Sequence, residues 1–117
     1  MKLLTKSIES KLRDNFMWQR DELNPFHGTQ DFAPVVKLFN PSGAATWLLT
    51  ELDDDGVMFG LCDTGYGSPE LGYVSLKELS DFRGRFGLGI ERDRSFRAVK
   101  TIAAYADDAR SAGRIIA

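Results

Sequence analysis

A single cysteine and a single histidine remove whole classes of chemistry from this chain. One thiol cannot close an intramolecular disulfide, and it cannot build a multi-cysteine zinc site. One imidazole excludes the metal sites that need a pair of histidines. No apolar run approaches the ~20 residues of a membrane span, so no membrane association is expected. Met1-Lys2-Leu3-Leu4 gives way at once to polar residues, which is not the pattern of a signal peptide. A reducing cytoplasm is the expected location. Neither sign of charge dominates: 15 basic against 17 acidic residues leave a net charge of −2 and a pI near 5.3. That is too little positive charge for a protein relying on a broad basic surface, and too little negative charge for an acidic DNA mimic. Repeats, low-complexity tracts and linker-like stretches are absent.

The 117 residues suffice for one domain with a real core, and residues 1–117 are read as one α+β unit. Its centre is Thr46–Tyr73. Trp47–Leu52 and Val57–Cys62 are rich in aliphatic and aromatic residues and flank Asp53-Asp54-Asp55-Gly56, so they read as a β-hairpin with Gly56 free to take positive φ. Pairing Leu52 with Val57 sets Leu48 opposite Leu61 and Thr50 opposite Phe59 on one face, which is assigned to the core. Trp47 opposite Cys62 and Leu49 opposite Gly60 fall on the other. That second face is also partly apolar through Trp47, Leu49 and Met58, and calls for a packing partner, either a helix or another subunit.

Around the hairpin, Thr5–Arg20 reads as a helix. Thr5 is its N-cap, and Leu4, Ile8, Leu12 and Phe16 form a stripe. Residues 24–34 form a loop, in which Phe26 and Phe32 are expected to anchor to the core. Val35–Phe39 and Glu70–Val74 are strands. Ser75-Leu76-Lys77-Glu78 is a capping box opening a helix over Leu76–Arg83, with Leu76, Leu79 and Phe82 inward and Gly84 as its C-cap. Ile90–Phe96 reads as a charged edge strand. Arg97–Ala112 reads as a helix with Val99, Ile102, Ala106 and Ala109 on its inner side, ended by Gly113. The expected fold is therefore α+β: an N-terminal helix, an antiparallel sheet of four or five strands, a short helix after Ser75 and a C-terminal helix.

Chemical motifs are sparse. Glu51, Asp53, Asp55 and Gly56 imitate the start of a calcium loop, but its twelfth position is Cys62 rather than a glutamate. The Gly65/Gly67/Gly72 and Gly84/Gly87/Gly89 sets lack the spacing of a phosphate cradle. Cys62 sits mid-strand and reads as a small buried hydrophobe rather than a nucleophile paired with His27. No catalytic set, metal or cofactor is assigned, although a carboxylate-dependent enzyme using Glu70, Glu91 or Asp93 stays open. Arg83, Arg85, Arg92, Arg94 and Arg97 form the single local concentration of positive charge, interrupted by Glu91 and Asp93. An edge strand with ion pairs accounts for it. A docking face for an acidic partner or a nucleic-acid backbone is the alternative.

Leu3-Leu4-Thr5, Lys37-Leu38-Phe39-Asn40-Pro41, Thr46-Trp47, Thr50-Glu51-Leu52-Asp53, Phe59-Gly60-Leu61, Glu70-Leu71-Gly72-Tyr73, Ser75-Leu76 with Glu78-Leu79, and Gly87-Leu88 before Ile90-Glu91-Arg92-Asp93 occur in an order that resembles the DUF2958 family. This is a family of small bacterial proteins of unknown function. The resemblance runs over about residues 3–97. It implies an accessory protein of mobile DNA, in defence or counter-defence, and transfers no catalytic residue. Turn and cap chemistry explains several signature positions. It does not explain Glu70, Tyr73, Glu91, Arg92 and Asp93, which join Trp47 as binding candidates. The function expected is a non-enzymatic binding protein acting through protein contacts. A homo-oligomer and a nucleic-acid adaptor remain alternatives, the latter not favoured. Strand alternation turns Arg92 towards the core, where Glu70 or Glu78 is expected to pair with it.

Overall fold

The computed structural model describes residues 2–28 and 30–117. Met1 and Thr29, which belong to the N-terminal tetrapeptide and the 24–34 loop read above, lie outside the described residues. Three α-helices and five strands follow in the order α1 (Lys6–Arg20), β1 (Val36–Phe39), β2 (Thr46–Leu52), β3 (Val57–Asp63), β4 (Glu70–Ser75), α2 (Leu76–Asp81), β5 (Glu91–Arg92) and α3 (Ile102–Ala112). All strand pairs are antiparallel, and the sheet order is β4-β3-β2-β1-β5. β1 to β4 thus run as a meander, and the chain then crosses to the far edge to lay β5 beside β1. This is the α+β architecture that the sequence predicts.

The sheet is covered on both faces. Leu4 and Leu12 from the α1 region and Leu79 from α2 pack with Val36, Leu38, Trp47, Leu49, Leu52 and Met58. Ile102, Tyr105, Ala106 and Ala109 of α3 pack with Leu48 and Leu61 on the opposite face. The partner that the second hairpin face requires is therefore α1 of the same chain. This corrects the assignment of the main core to the Leu48/Leu61 face: the larger cluster lies on the Trp47/Leu49 side. Fully burying each such leucine or methionine contributes about 1.5–3 kcal/mol, which is what fixes α1 on the sheet.

The hairpin register agrees with the sequence reading at one end and departs from it at the other. Trp47 pairs with Cys62, Leu48 with Leu61 and Leu49 with Gly60, but Glu51 then pairs with Phe59 and Leu52 with Met58. Thr50 is the extra residue of a β-bulge. The bulge shifts parity by one, so Leu52 joins Trp47 and Leu49 in the same core. It also frees the Thr50 carbonyl, which accepts a 2.9 Å bond from the buried Asn15 side chain of α1. At the turn, the Asp53 carboxylate accepts from the amides of Asp55 and Val57 at 2.9 and 2.8 Å, and Gly56 takes φ +82°. Of the acidic residues here, Asp53 builds the turn with its carboxylate.

Local signals set the helix ends. Thr5 caps α1 by accepting from the Ile8 amide at 3.1 Å, and Ser75 caps α2 by accepting from the Glu78 amide at 3.1 Å. Gly113 ends α3 in the left-handed region. Tertiary contacts override several other expectations. α2 stops at Asp81 with Phe82 as its C-cap, so Gly84 has no capping role, and Phe82 is exposed. β5 shrinks to two residues because Asp93 turns the chain: its carbonyl and carboxylate accept from the amides of Phe96 and Ser95. α3 begins at Ile102 rather than Arg97, and Val99 is exposed. Its first turn is capped from afar. Phe32 accepts from the Ile102 amide through its carbonyl, and Asp31 accepts from the Ala103 amide through its carboxylate. Phe32 ties its loop to α1 through an edge-on contact with the exposed Trp18 and joins neither core cluster, and Phe26 is exposed, so neither ring anchors the loop in the core as expected.

Candidate functional site

The six candidate residues are distributed over three places. Trp47 lies in the core beneath α1, 8% exposed. Glu70 and Tyr73 stand on β4 at one edge of the sheet, and Glu91, Arg92 and Asp93 mark β5 at the other. Glu70 therefore cannot share a cleft with Glu91 and Asp93. Asp93 is also engaged: besides its turn bond, it pairs with Lys37 at 3.5 Å.

What the fold does assemble is a half-open cleft of about 920 Å³ between the N-terminal segment, α2 and the stretch from Gly89 to Arg94. Leu3, Leu4, Leu76 and Ile90 supply an apolar lining. Around them stand Lys2, Arg83, Arg92 and Arg94, against the carboxylates Glu9 and Glu91, so four positive and two negative groups leave a local charge of +2. Glu9 lies 3.7 Å from Arg13. The cleft is thus cationic although the protein carries a net charge of −2.

Two of the cleft arginines, Arg83 and Arg92, donate to backbone carbonyls. Arg92 is half-buried, as expected, but its guanidinium donates to the Leu3 carbonyl and not to Glu70 or Glu78. The physical reason is topology: β4 carries Glu70 four strands away from β5, while the segment before α1 passes directly over β5. A charge-assisted bond to a carbonyl satisfies the donor without desolvating a second charge. Arg83 donates to the Ser80 and Phe82 carbonyls at 3.0 and 2.6 Å, curling at the C-terminal end of α2, where carbonyls are left over. Arg97 spends itself on the Arg94 and Phe96 carbonyls and lines no part of the cleft. Beside the cleft, the tight turn over Arg85–Gly87 projects Phe86, 89% exposed and at φ +61°.

The remaining reactive groups lie elsewhere. Burial, with a smaller contribution from the Glu70 carboxylate, pushes the Cys62 thiol from its ordinary 9.0 up to about 11. At neutral pH it is a protonated thiol and a poor nucleophile. His27 sits in an exposed loop, bonded to the Asn24 carbonyl. Glu51 is raised above the usual glutamate range by burial, opposed by hydrogen bonds from Thr50 and Gln19. Among the described residues, no group of three or more His, Cys, Asp or Glu side chains could hold a metal ion, and no helix is long and apolar enough to cross a membrane.

The arginines of this site were visible in the sequence as a cluster. Lys2, Glu9 and Leu76 were not, because nothing local indicates that the start of the chain and α2 converge on β5. The arrangement defines a class: a small α+β protein carrying a cationic, apolar-floored cleft at a sheet edge. The chain belongs to the DUF2958 family, described as "Protein of unknown function", whose model matches residues 3–116 and so includes the C-terminal helix beyond the motifs noted above. No curated protein and no solved structure matches it.

Proposed function

We propose that this is a non-enzymatic binding protein acting through protein contacts, with the cleft between α1, α2 and β5 as the docking surface for an acidic segment of its partner. The family resemblance supplies the setting, an accessory protein of bacterial mobile elements working in defence or counter-defence. The observation that carries the reading is the convergence of Lys2, Arg83, Arg92 and Arg94 on one apolar-floored cleft of about 920 Å³. Such a floor takes an aliphatic or aromatic anchor while the rim cations select negative charge. Of the carboxylates considered for an enzyme, Glu70 stands at the opposite edge of the sheet from Glu91 and Asp93.

Fluorescence anisotropy with labelled hexaglutamate and a single-stranded oligonucleotide of equal charge tests this at low salt. The peptide should bind saturably to the native protein and lose at least about tenfold in affinity to the Arg83→Glu/Arg94→Glu variant, the scale of two rim charges reversed. Equal binding to both proteins would remove the cleft from the proposal. Preference for the oligonucleotide, with a steep salt dependence, would replace a protein partner by nucleic acid.

A further inference from the structure

The two edges of the sheet are treated differently. At one, β5 is two residues long and ends in the Asp93 turn. At the other, β4 offers six residues in uninterrupted register with β3, from Cys62↔Glu70 to Val57↔Ser75. It has no proline, lysine or bulge within it, the usual devices that blunt an edge.

The backbone direction of β4 follows from its neighbour. Val57 and Phe59 turn their backbone groups towards β2: the Val57 carbonyl accepts from the Asp53 amide, and the Phe59 carbonyl from the Thr50 hydroxyl. Alternation gives Met58, Gly60 and Cys62 to β4, and so commits Glu70, Gly72 and Val74 to β3. The N–H and C=O groups of Leu71 and Tyr73 therefore point off the sheet. The side chains of both residues are exposed as well, Tyr73 at 75%, with its ring 5.2 Å from that of Phe59.

We infer that β4 pairs with β4 of a second copy of this chain, antiparallel about a two-fold axis through Gly72, joining two sheets into one of ten strands. In that register Leu71 lies opposite Tyr73 of the second copy and Tyr73 opposite its Leu71, so all four outward-facing residues exchange backbone hydrogen bonds. Each tyrosine packs on a leucine, backed by Phe59. The one charge on the strand, Glu70, faces Val74 of the second copy and stays clear of the other Glu70. An acidic residue at the centre would instead have opposed itself. At the axis, Gly72 meets Gly72, where a Cβ has nothing within 4 Å in the monomer.

This surface is at the opposite edge from the cleft, so its test is independent of the proposed function. Two residues meeting at a non-hydrogen-bonded antiparallel position have Cα atoms about 4.5 Å apart, within disulfide range. In a Cys62→Ser background, Gly72→Cys should oxidise to a covalent dimer that the Tyr73→Cys control does not match. The unmodified protein should show a concentration-dependent monomer–dimer equilibrium in sedimentation velocity between about 1 µM and 1 mM. Tyr73→Pro, which removes an outward N–H that the monomer does not use, should shift it to monomer while preserving the circular dichroism spectrum. A native chain that remains monomeric across this range, or a Gly72→Cys variant that cross-links no better than the control, would overturn the inference. So would a Tyr73→Pro variant that folds and still dimerises.

Discussion

Gly60 and Gly72 face each other across β3 and β4, yet alanine should act oppositely at the two sites. A Cβ on Gly60 would stand 2.0 Å from the Leu48 carbonyl oxygen and 2.7 Å from the Leu49 Cα. Real Cβ atoms essentially never come within 3.0 Å of another atom, so the backbones of β2 and β3 would have to part by about 1 Å at the centre of the sheet. Overpacking costs about 1–3 kcal/mol, and a site where backbone rather than side chain must yield belongs at the top of that range. The unfolded chain becomes stiffer, which returns about 0.4–1 kcal/mol. Gly60→Ala should therefore destabilise by about 2 kcal/mol, lowering Tm by roughly 8 °C for a domain of this size. At Gly72 the space is open and φ is ordinary, so only the entropic effect remains. Gly72→Ala should stabilise by about 0.5 kcal/mol. Urea unfolding followed by tryptophan fluorescence, with the buried Trp47 as reporter, measures both at one protein concentration. Shifts of the same sign, or a Gly60→Ala midpoint equal to that of the native chain, would refute the close approach of β2 to β3.

Two further outcomes are expected. Arg92→Ala should cost about 1.5 kcal/mol, the scale of one charge-assisted hydrogen bond, rather than the roughly 3 kcal/mol of a broken buried ion pair; thermal melts of Arg92→Ala and of Glu78→Ala, which should be near neutral, distinguish the two. Cys62, whose thiol is raised to about 11 by burial, should react with iodoacetamide at pH 8 roughly 100-fold more slowly in the fold than in urea, because thiolate is the reacting species. An acid whose pKa is raised on folding favours the fold while protonated, so this contribution is full below pH 9.0 and is lost as pH rises towards about 11. A Cys62→Ser variant that loses stability over the same interval as the native chain would dissociate that alkaline loss from the thiol.

Periodicity and cap chemistry alone determine much of this protein. The stripe of α1 begins at a threonine cap, the Ser75 hydroxyl caps the start of α2, and two apolar runs about Asp53–Gly56 make a hairpin, since each signal lies within a few residues of the group it satisfies. The match of Trp47 with Cys62 and of Leu48 with Leu61 follows from the period of two. The bulge at Thr50 does not: the carbonyl it frees is taken by Asn15, 35 positions earlier, and that bond is invisible until α1 lies on the sheet. The same holds for the length of α3, whose first amides are capped by Asp31 and Phe32, and for the partner of Arg92, a carbonyl at the start of the chain. The cluster of arginines is written in the sequence, but only the crossing of the chain from α2 to the far edge turns it into a cleft. That crossing separates Glu70 from Glu91 by the full width of the sheet, since it is the order of strands in space, and not along the chain, that sets which charges meet.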